Sequence, residues 1–377
     1  KAGDLTVDNL TLYGKLEFAN ETVYPASGGT ITTYSNYIIH TFTSGSNDFV
    51  VSSGSVTCDV LVVAGGGAGG RDYSGGGGGA GGLIFTNCVL TEGEYGVVIG
   101  AGGCRTVTSK TGAAGSNSSF NGLTAVGGGG GAGNNQAATA GGSGGGGGGT
   151  YYGGPYTGGS GTTGQGHAGG SGGGYAPFNG CGGGGAGSAG GIGDQYNCSS
   201  GGAPDGYWSN GGNGGEGLQY SISGTAKYYA GGGGGAGLEH CAAEDVGGNP
   251  GIGGSGGGGT AGWGPSGPNP WGDGDDGEIN TGGGGGATPG GLGFGGAGGS
   301  GIVIVRYPMP TNITETASIY GINQNSASAT NIFLGKVGIG TNSPSEKLHV
   351  AGNIKVDGMV IMTAPSGGLS MGVFTNQ

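Results

Sequence analysis

One property limits this chain before any motif is considered. From residue 65 to residue 300, 97 of the 236 residues are glycine. An ordinary soluble protein holds about 7%. Glycine costs a helix interior about 1 kcal/mol relative to alanine, so the runs at 75–79 and 144–149 cannot sustain one. Apolar side chains are too scarce in this span for a conventional core. The span is either disordered or a lattice in which the backbone itself packs and bonds. Disordered chains are typically rich in charge and proline. Here charged residues are 8% and there are 13 prolines in 377 residues. The ordered reading is therefore preferred: polyproline II glycine helices, three residues per turn, lying side by side. Their N–H and C=O groups would bond between neighbours, as buried backbone requires. Collagen is excluded, because runs of five and six glycines break its strict triplet register.

The runs recur. Five of them end in an alanine: Ala80, Ala132, Ala186, Ala236 and Ala287. Successive spacings are 52, 54, 50 and 51 residues, a near-constant period that reads as a structural repeat. The alanines are expected where neighbouring glycine helices approach most closely.

"DVLVVAGGGAGG" at 59–70 satisfies G-x-G-x-x-G through Gly65, Gly67 and Gly70. A dinucleotide site needs the third glycine to open a helix whose N-terminal N–H groups hold the pyrophosphate. The sequence continues into five glycines instead, so this is a strand entering the lattice. No catalytic constellation is recognisable, and an enzyme is not expected.

The flanks differ in character. "YIIHTFTSGSNDFVV" (37–51) and "VTCDVLVVA" (56–64) read as strands with turns at 44–47 and 52–55, and "GIVIVRYP" (301–308) as a third. They bracket the glycine span. The expected fold is mainly β with almost no α-helix: a β-sandwich base (34–64 plus 301–308) carrying the polyproline II bundle (65–300). Segments 1–33 and 309–377 alternate Val, Leu and Ile with Gly or Asn breaks. They read as fibre-like β, the latter a shaft or oligomerisation segment. Open strand edges and small cores favour multi-chain pairing there, a homotrimer being expected.

The pattern "YIIHTFTSGSNDFVV…DVLVVAGGGAGG…VVIGAGG…GGSGIVIVRYP" resembles the glycine-rich domain of phage and other viral tail-fibre and adhesin proteins. "KVGIGTNSPSEKLHVAGN" (336–353) is similar to the shaft segment that often precedes an intramolecular chaperone in tail fibres. The resemblance implies a multimeric viral fibre, exposed on the virion, whose loops bind a host receptor. It transfers no contact residues, so those are sought in this sequence.

The bulky residues that interrupt the glycine are the candidates: Tyr151, Tyr152, Tyr156, Tyr207, Trp208, Trp263 and Trp271, with Asp273 beside the last. Tyrosine and tryptophan give rigid amphipathic contact surface, and aromatic faces beside carboxylates or amides suit sugars. Their competing role is to cover exposed lattice faces. The acids Asp273, Asp275, Asp276 and Glu278 do not match a calcium loop and read as a solvated turn.

Six cysteines (58, 88, 104, 181, 198 and 241) include no C-x-x-C pair, so no zinc site is expected. They allow fifteen pairings, between which sequence does not choose. Crosslinks would offset the entropy of ordering glycine, whereas a reducing compartment would leave free thiols. The net charge of −12 argues against nucleic acid and anionic membrane surfaces. No apolar stretch is long enough to span a bilayer. No cofactor is expected. The expected partners are further copies of the chain, other virion fibre or tail proteins, and a host surface receptor, with glycans among the candidates. Two other readings share the lattice: a filament or surface-layer protein without a receptor role, and an ice-binding protein.

Overall fold

The computed structural model describes residues 25–72, 74–105, 107, 109–149, 156–172, 179–197, 207–239, 248–264, 272–290, 293–309, 337–339 and 348–350. Among these residues there is no α-helix. In chain order the strands are β1 (Ala26–Ser27), β2 (Thr30–Tyr34), β3 (Tyr37–Phe42), β4 (Ser46–Val63), β5 (Leu83–Val98), β6 (Ser118–Phe120), β7 (Leu123–Ala125) and β8 (Asp194–Asn197). They continue as β9 (Tyr207–Asn210), β10 (Leu218–Tyr220), β11 (Lys227–Tyr229), β12 (Leu238–Glu239), β13 (Ile302–Pro308), β14 (Val337–Ile339) and β15 (Leu348–Val350). The fold is mainly β, in antiparallel sheets, with one parallel pair, β14–β15.

The main sheet has eight strands in the order β2-β3-β13-β4-β5-β6-β7, with β1 also on β4. β13 lies between β3 and β4, so the chain leaves this sheet for the last time after β7 and its final strand returns to the sheet's interior. Side chains alternate faces along a strand, and both faces of the central strands are buried. Val60, Val62, Val303, Val305 and Tyr307 join one core. Leu61, Val63, Ile302 and Ile304 join a second, with Ala80, Ala186, Ile222, Tyr229 and Ala230. The second core is where the sheet meets the glycine region.

Two features differ from the sequence reading. Residues 52–55 are not a turn: β4 runs through them, and its pairing with β5 shifts register between Val51 and Ser55. Such an irregularity bends a strand. The bend folds the sheet over, because Phe49 stacks edge-on against His40 at 5.0 Å and lies 6.5 Å from Tyr307, although β4 pairs with β13 only at Asp59–Val63. The sheet also takes β5, β6 and β7 from within the glycine span, where "LIFTNCVL" supplies the β-branched and aromatic residues that strands favour.

The glycine segments are ordered by hydrogen bonds that repeat every third residue. Residues 76–82 show the rule. Gly76, Gly79 and Gly82 donate to the carbonyls of Ala132, Gly129 and Val126. Gly77 and Ala80 donate to Cys181 and Gly184, and Gly78 and Gly81 to Gly285 and Gly282. The carbonyls of this stretch and of Gly75 before it accept from three other directions: from Gly70, Gly67 and Ala64; from Gly146 and Ser143; and from Ala236, to Gly75, and Gly233. These bonds measure 2.7–3.0 Å, within the normal range. One segment is thus ringed by others, including all four of the remaining alanine-ended runs. The period of three is that of a polyproline II helix, which makes no internal hydrogen bonds.

The spacing leaves no room for side chains. A Cβ added at Gly77 would overlap the Gly233 carbonyl oxygen, and one at Gly78 the Gly67 oxygen. Ala80, Ala132, Ala236 and Ala287 are fully buried and Ala186 nearly so.

The chain divides into two compact units, Lys1–Thr311 and Asn312–Gln377. In the second, the described residues are β14 and β15.

Candidate binding surface

The fingerprint glycines are built into the lattice. Gly65, Gly67 and Gly70 donate their N–H groups to the carbonyls of Ser116, Gly79 and Gly76. A phosphate cradle needs those donors free and a helix behind them; here they hold other segments of the chain.

Five of the nominated contact residues are described: Tyr156, Tyr207, Trp208, Trp263 and Asp273. Tyr151, Tyr152 and Trp271 lie outside the described residues. Tyr156 is half-buried, and its carbonyl accepts from the Gly172 N–H at 3.2 Å. Trp263 is 36% exposed and so offers part of its surface to solvent. Tyr207 and Trp208 were expected in a loop, but their backbone forms β9, the middle strand of a small antiparallel sheet, β12-β9-β8. Consecutive aromatic residues favour a strand.

Asp273 has a different environment from the one expected of a ligand-orienting group. Its Oδ1 accepts the Phe294 N–H at 2.8 Å, and its Oδ2 pairs with Arg105 Nη1 at 2.8 Å. Asp276 Oδ1 accepts the Ala297 N–H at 2.6 Å and pairs with Arg105 Nη2 at 2.9 Å. Lys227 pairs with Glu278 at 3.0 Å. The acidic run is therefore solvent-exposed, as expected, but forms an edge of the lattice partly compensated by Arg105 and Lys227 rather than a turn. Exposed ion pairs contribute only about 0–1 kcal/mol each. The bonds to backbone N–H groups matter more, since they satisfy donors that face no carbonyl.

The same device recurs nearby. Asn210, Asn213 and Glu216, again three apart, accept the N–H groups of Asn249, Ile252 and Ser255 at 3.1, 2.9 and 2.9 Å. At these positions a side-chain oxygen of the adjoining segment takes the N–H that a carbonyl accepts elsewhere in the lattice. The sequence signal is an Asx or Glu at every third position, which the reading passed over.

A cleft of about 540 Å³ opens where the β2–β3 turn faces residues 221–226. Tyr34, Tyr37, Ser221, Thr225 and Arg306 are among its lining residues. Tyr34 rests against Gly224, whose φ of +95° belongs to the region that favours glycine. The Arg306 guanidinium lies 4.6 Å from the Tyr37 ring centre, pairs with Asp59, and donates to the Ser221 carbonyl at 3.1 Å. Asp59 thus compensates its charge. Fixed aromatic faces, hydroxyls and a compensated guanidinium can hold a polar, uncharged ligand such as a sugar. Of the elements that form this cleft, β3 and β13 were legible as strands; β2, its turn and their meeting with residue 221 were not.

The family model described as the glycine-rich domain matches residues 41–308, most of the chain. The match begins in β3 and ends with β13. This chain belongs to the glycine-rich domain family. The domain thus takes in the central strands of the sheet together with the lattice between them. No curated protein matches the sequence.

Proposed function

We propose that this glycine-rich-domain protein is a structural component of a viral fibre, foremost a phage tail fibre, that displays host-binding surface on a rigid lattice. The observation that carries the proposal is the use of the backbone. Glycine segments bond to one another in every direction, in the manner of packed polyproline II helices. Recognition then falls to the side chains that interrupt or border them, as is common for sites held on rigid frames. Trp263 and the Tyr34–Tyr37–Arg306 cleft are the described surfaces of that kind. The terminal segments 1–33 and 310–377 assemble the homotrimer in this reading, and the likeness of 336–353 to a tail-fibre shaft supports it. Other fibre or tail proteins and a host glycan are the partners.

Two measurements on the full chain test it. Light scattering should give three times the 35.3 kDa chain mass. A glycan array should retain the protein, and Trp263→Ala or Tyr34→Ala should weaken retention tenfold or more if the residue is a hot spot while the melting temperature holds. A monomer that ignores glycans and arrests ice recrystallisation would replace the fibre with the ice-binding reading. Assembly without glycan or cell binding would leave a filament.

A further inference from the structure

Cys58 on β4 and Cys88 on β5 are direct partners in the antiparallel register. Their sulfurs lie 3.4 Å apart. Opposed residues in such a pair have Cα atoms about 4.5–5.5 Å apart, inside the range a disulfide spans. Both side chains face the same core: Cys58 is a buried member of it and Cys88 packs against it, half-buried. The other described cysteines differ. Cys104 is exposed and Cys181 is buried within the lattice, and neither is bonded to another cysteine among the described residues.

We propose that Cys58 and Cys88 are an oxidation site that closes to a disulfide stapling β4 to β5. Six cysteines leave fifteen pairings open in the sequence, and the register selects this one. The oxidant class is a small-molecule disulfide such as oxidised glutathione. Cys88, the more accessible thiol, loses its proton and attacks one oxidant sulfur, releasing one thiolate. Cys58 then loses its proton, attacks the Cys88 sulfur of the mixed disulfide, and releases the second. Two protein thiols are oxidised, one external disulfide is reduced to two thiols, and the two protons go to the leaving thiolates. Burial, followed by the hydrogen bond to Cys88, pushes the Cys58 thiol well above its ordinary range. The order of attack follows, with Cys58 as the resolving sulfur.

The bond would close a loop of about 30 residues across the longest strand pair. Restricting the unfolded chain in this way raises stability.

The test is peptide mapping of the full native chain after incubation with oxidised or reduced glutathione. Oxidation should yield a linked peptide joining Cys58 to Cys88 and raise the melting temperature by roughly 5–10 °C. Cys104→Ser should keep that rise, and Cys58→Ser and Cys88→Ser should each lose it. The proposal is overturned if both thiols remain open to alkylation in the oxidised native protein. It is equally overturned if Cys88 links to a different cysteine or keeps a glutathione adduct. The mapping uses the unmutated chain, so a serine variant that fails to fold does not affect it.

Discussion

At the scale of single residues, His40 shows how a polar group is kept in the core of the sheet. It is fully buried. Its Nδ1 lies 2.8 Å from the Gly28 carbonyl and its Nε2 3.0 Å from the Tyr307 hydroxyl. A neutral ring that donates through Nδ1 and accepts through Nε2 satisfies both contacts. Burial lowers its pKa below the ordinary value of about 6.5 and outweighs the Gly28 carbonyl, which acts the other way. The unfolded chain therefore binds more protons than the native state as the pH falls. The associated stability is present in full above about pH 6.5 and is lost as the pH drops through that value toward the lower folded pKa. Melting temperatures from pH 7.5 down to pH 5 should fall, and the fall should be shallower in His40→Gln. Equal slopes in the two proteins would remove His40 from the acid response.

At the scale of one segment, the lattice tolerates no added volume. A native hydrogen bond contributes only about 0.5–1.5 kcal/mol net, yet a buried group left unpaired costs about 1–3 kcal/mol. Displacing one glycine segment breaks bonds on several sides together. Gly77→Ala should therefore cost about 3 kcal/mol or more, since its Cβ would meet the Gly233 carbonyl. Ala80→Leu should cost roughly 1–3 kcal/mol in the same core segment. Gly45, also glycine but with open space around it and a φ of +71°, should lose only about 1 kcal/mol on substitution by alanine, through backbone strain. Urea unfolding of the three variants measures the contrast. A Gly77→Ala chain as stable as Gly45→Ala would show that the segments slide apart freely.

At the scale of the whole domain, one late strand closes a long excursion. β13 supplies hydrogen bonds to β3 on one side and β4 on the other. Its two faces enter both cores. The sheet and the lattice should accordingly melt as one unit. Ile304→Asp, placing a carboxylate at a position 1% exposed, should lower the melting temperature of sheet and lattice together, because burying an unpaired carboxyl, ionised or protonated, costs several kcal/mol of a margin of about 5–15 kcal/mol. Circular dichroism melts and limited proteolysis of the glycine region report this. Persistence of the lattice with the sheet unfolded would make the two separate folding units.

What the sequence by itself determined is the class of solution. A span that is two-fifths glycine excludes helix and a side-chain core, and the short, unbroken, β-branched runs "IVIV" and "VLVVA" favour strands buried on both faces. Those constraints act locally, through sterics and side-chain period, and so are legible residue by residue. The five alanines that follow glycine runs are legible too, and all five are buried. Which segment borders which was decided only in three dimensions. Every glycine offers the same donor and acceptor, so nothing in Gly77 or Gly78 names Cys181 or Gly285 as its partner. Selection comes from the strands that fix where each run enters and leaves, and from Asn213, Glu216 and Asp276, which close its outer rows. The candidate surfaces divide in the same way. Aromatic residues between glycine runs can be read from composition. Tyr34 and Arg306 meet Ser221 only because the returning β13 lies between β3 and β4, a long-range pairing that no local signal carries.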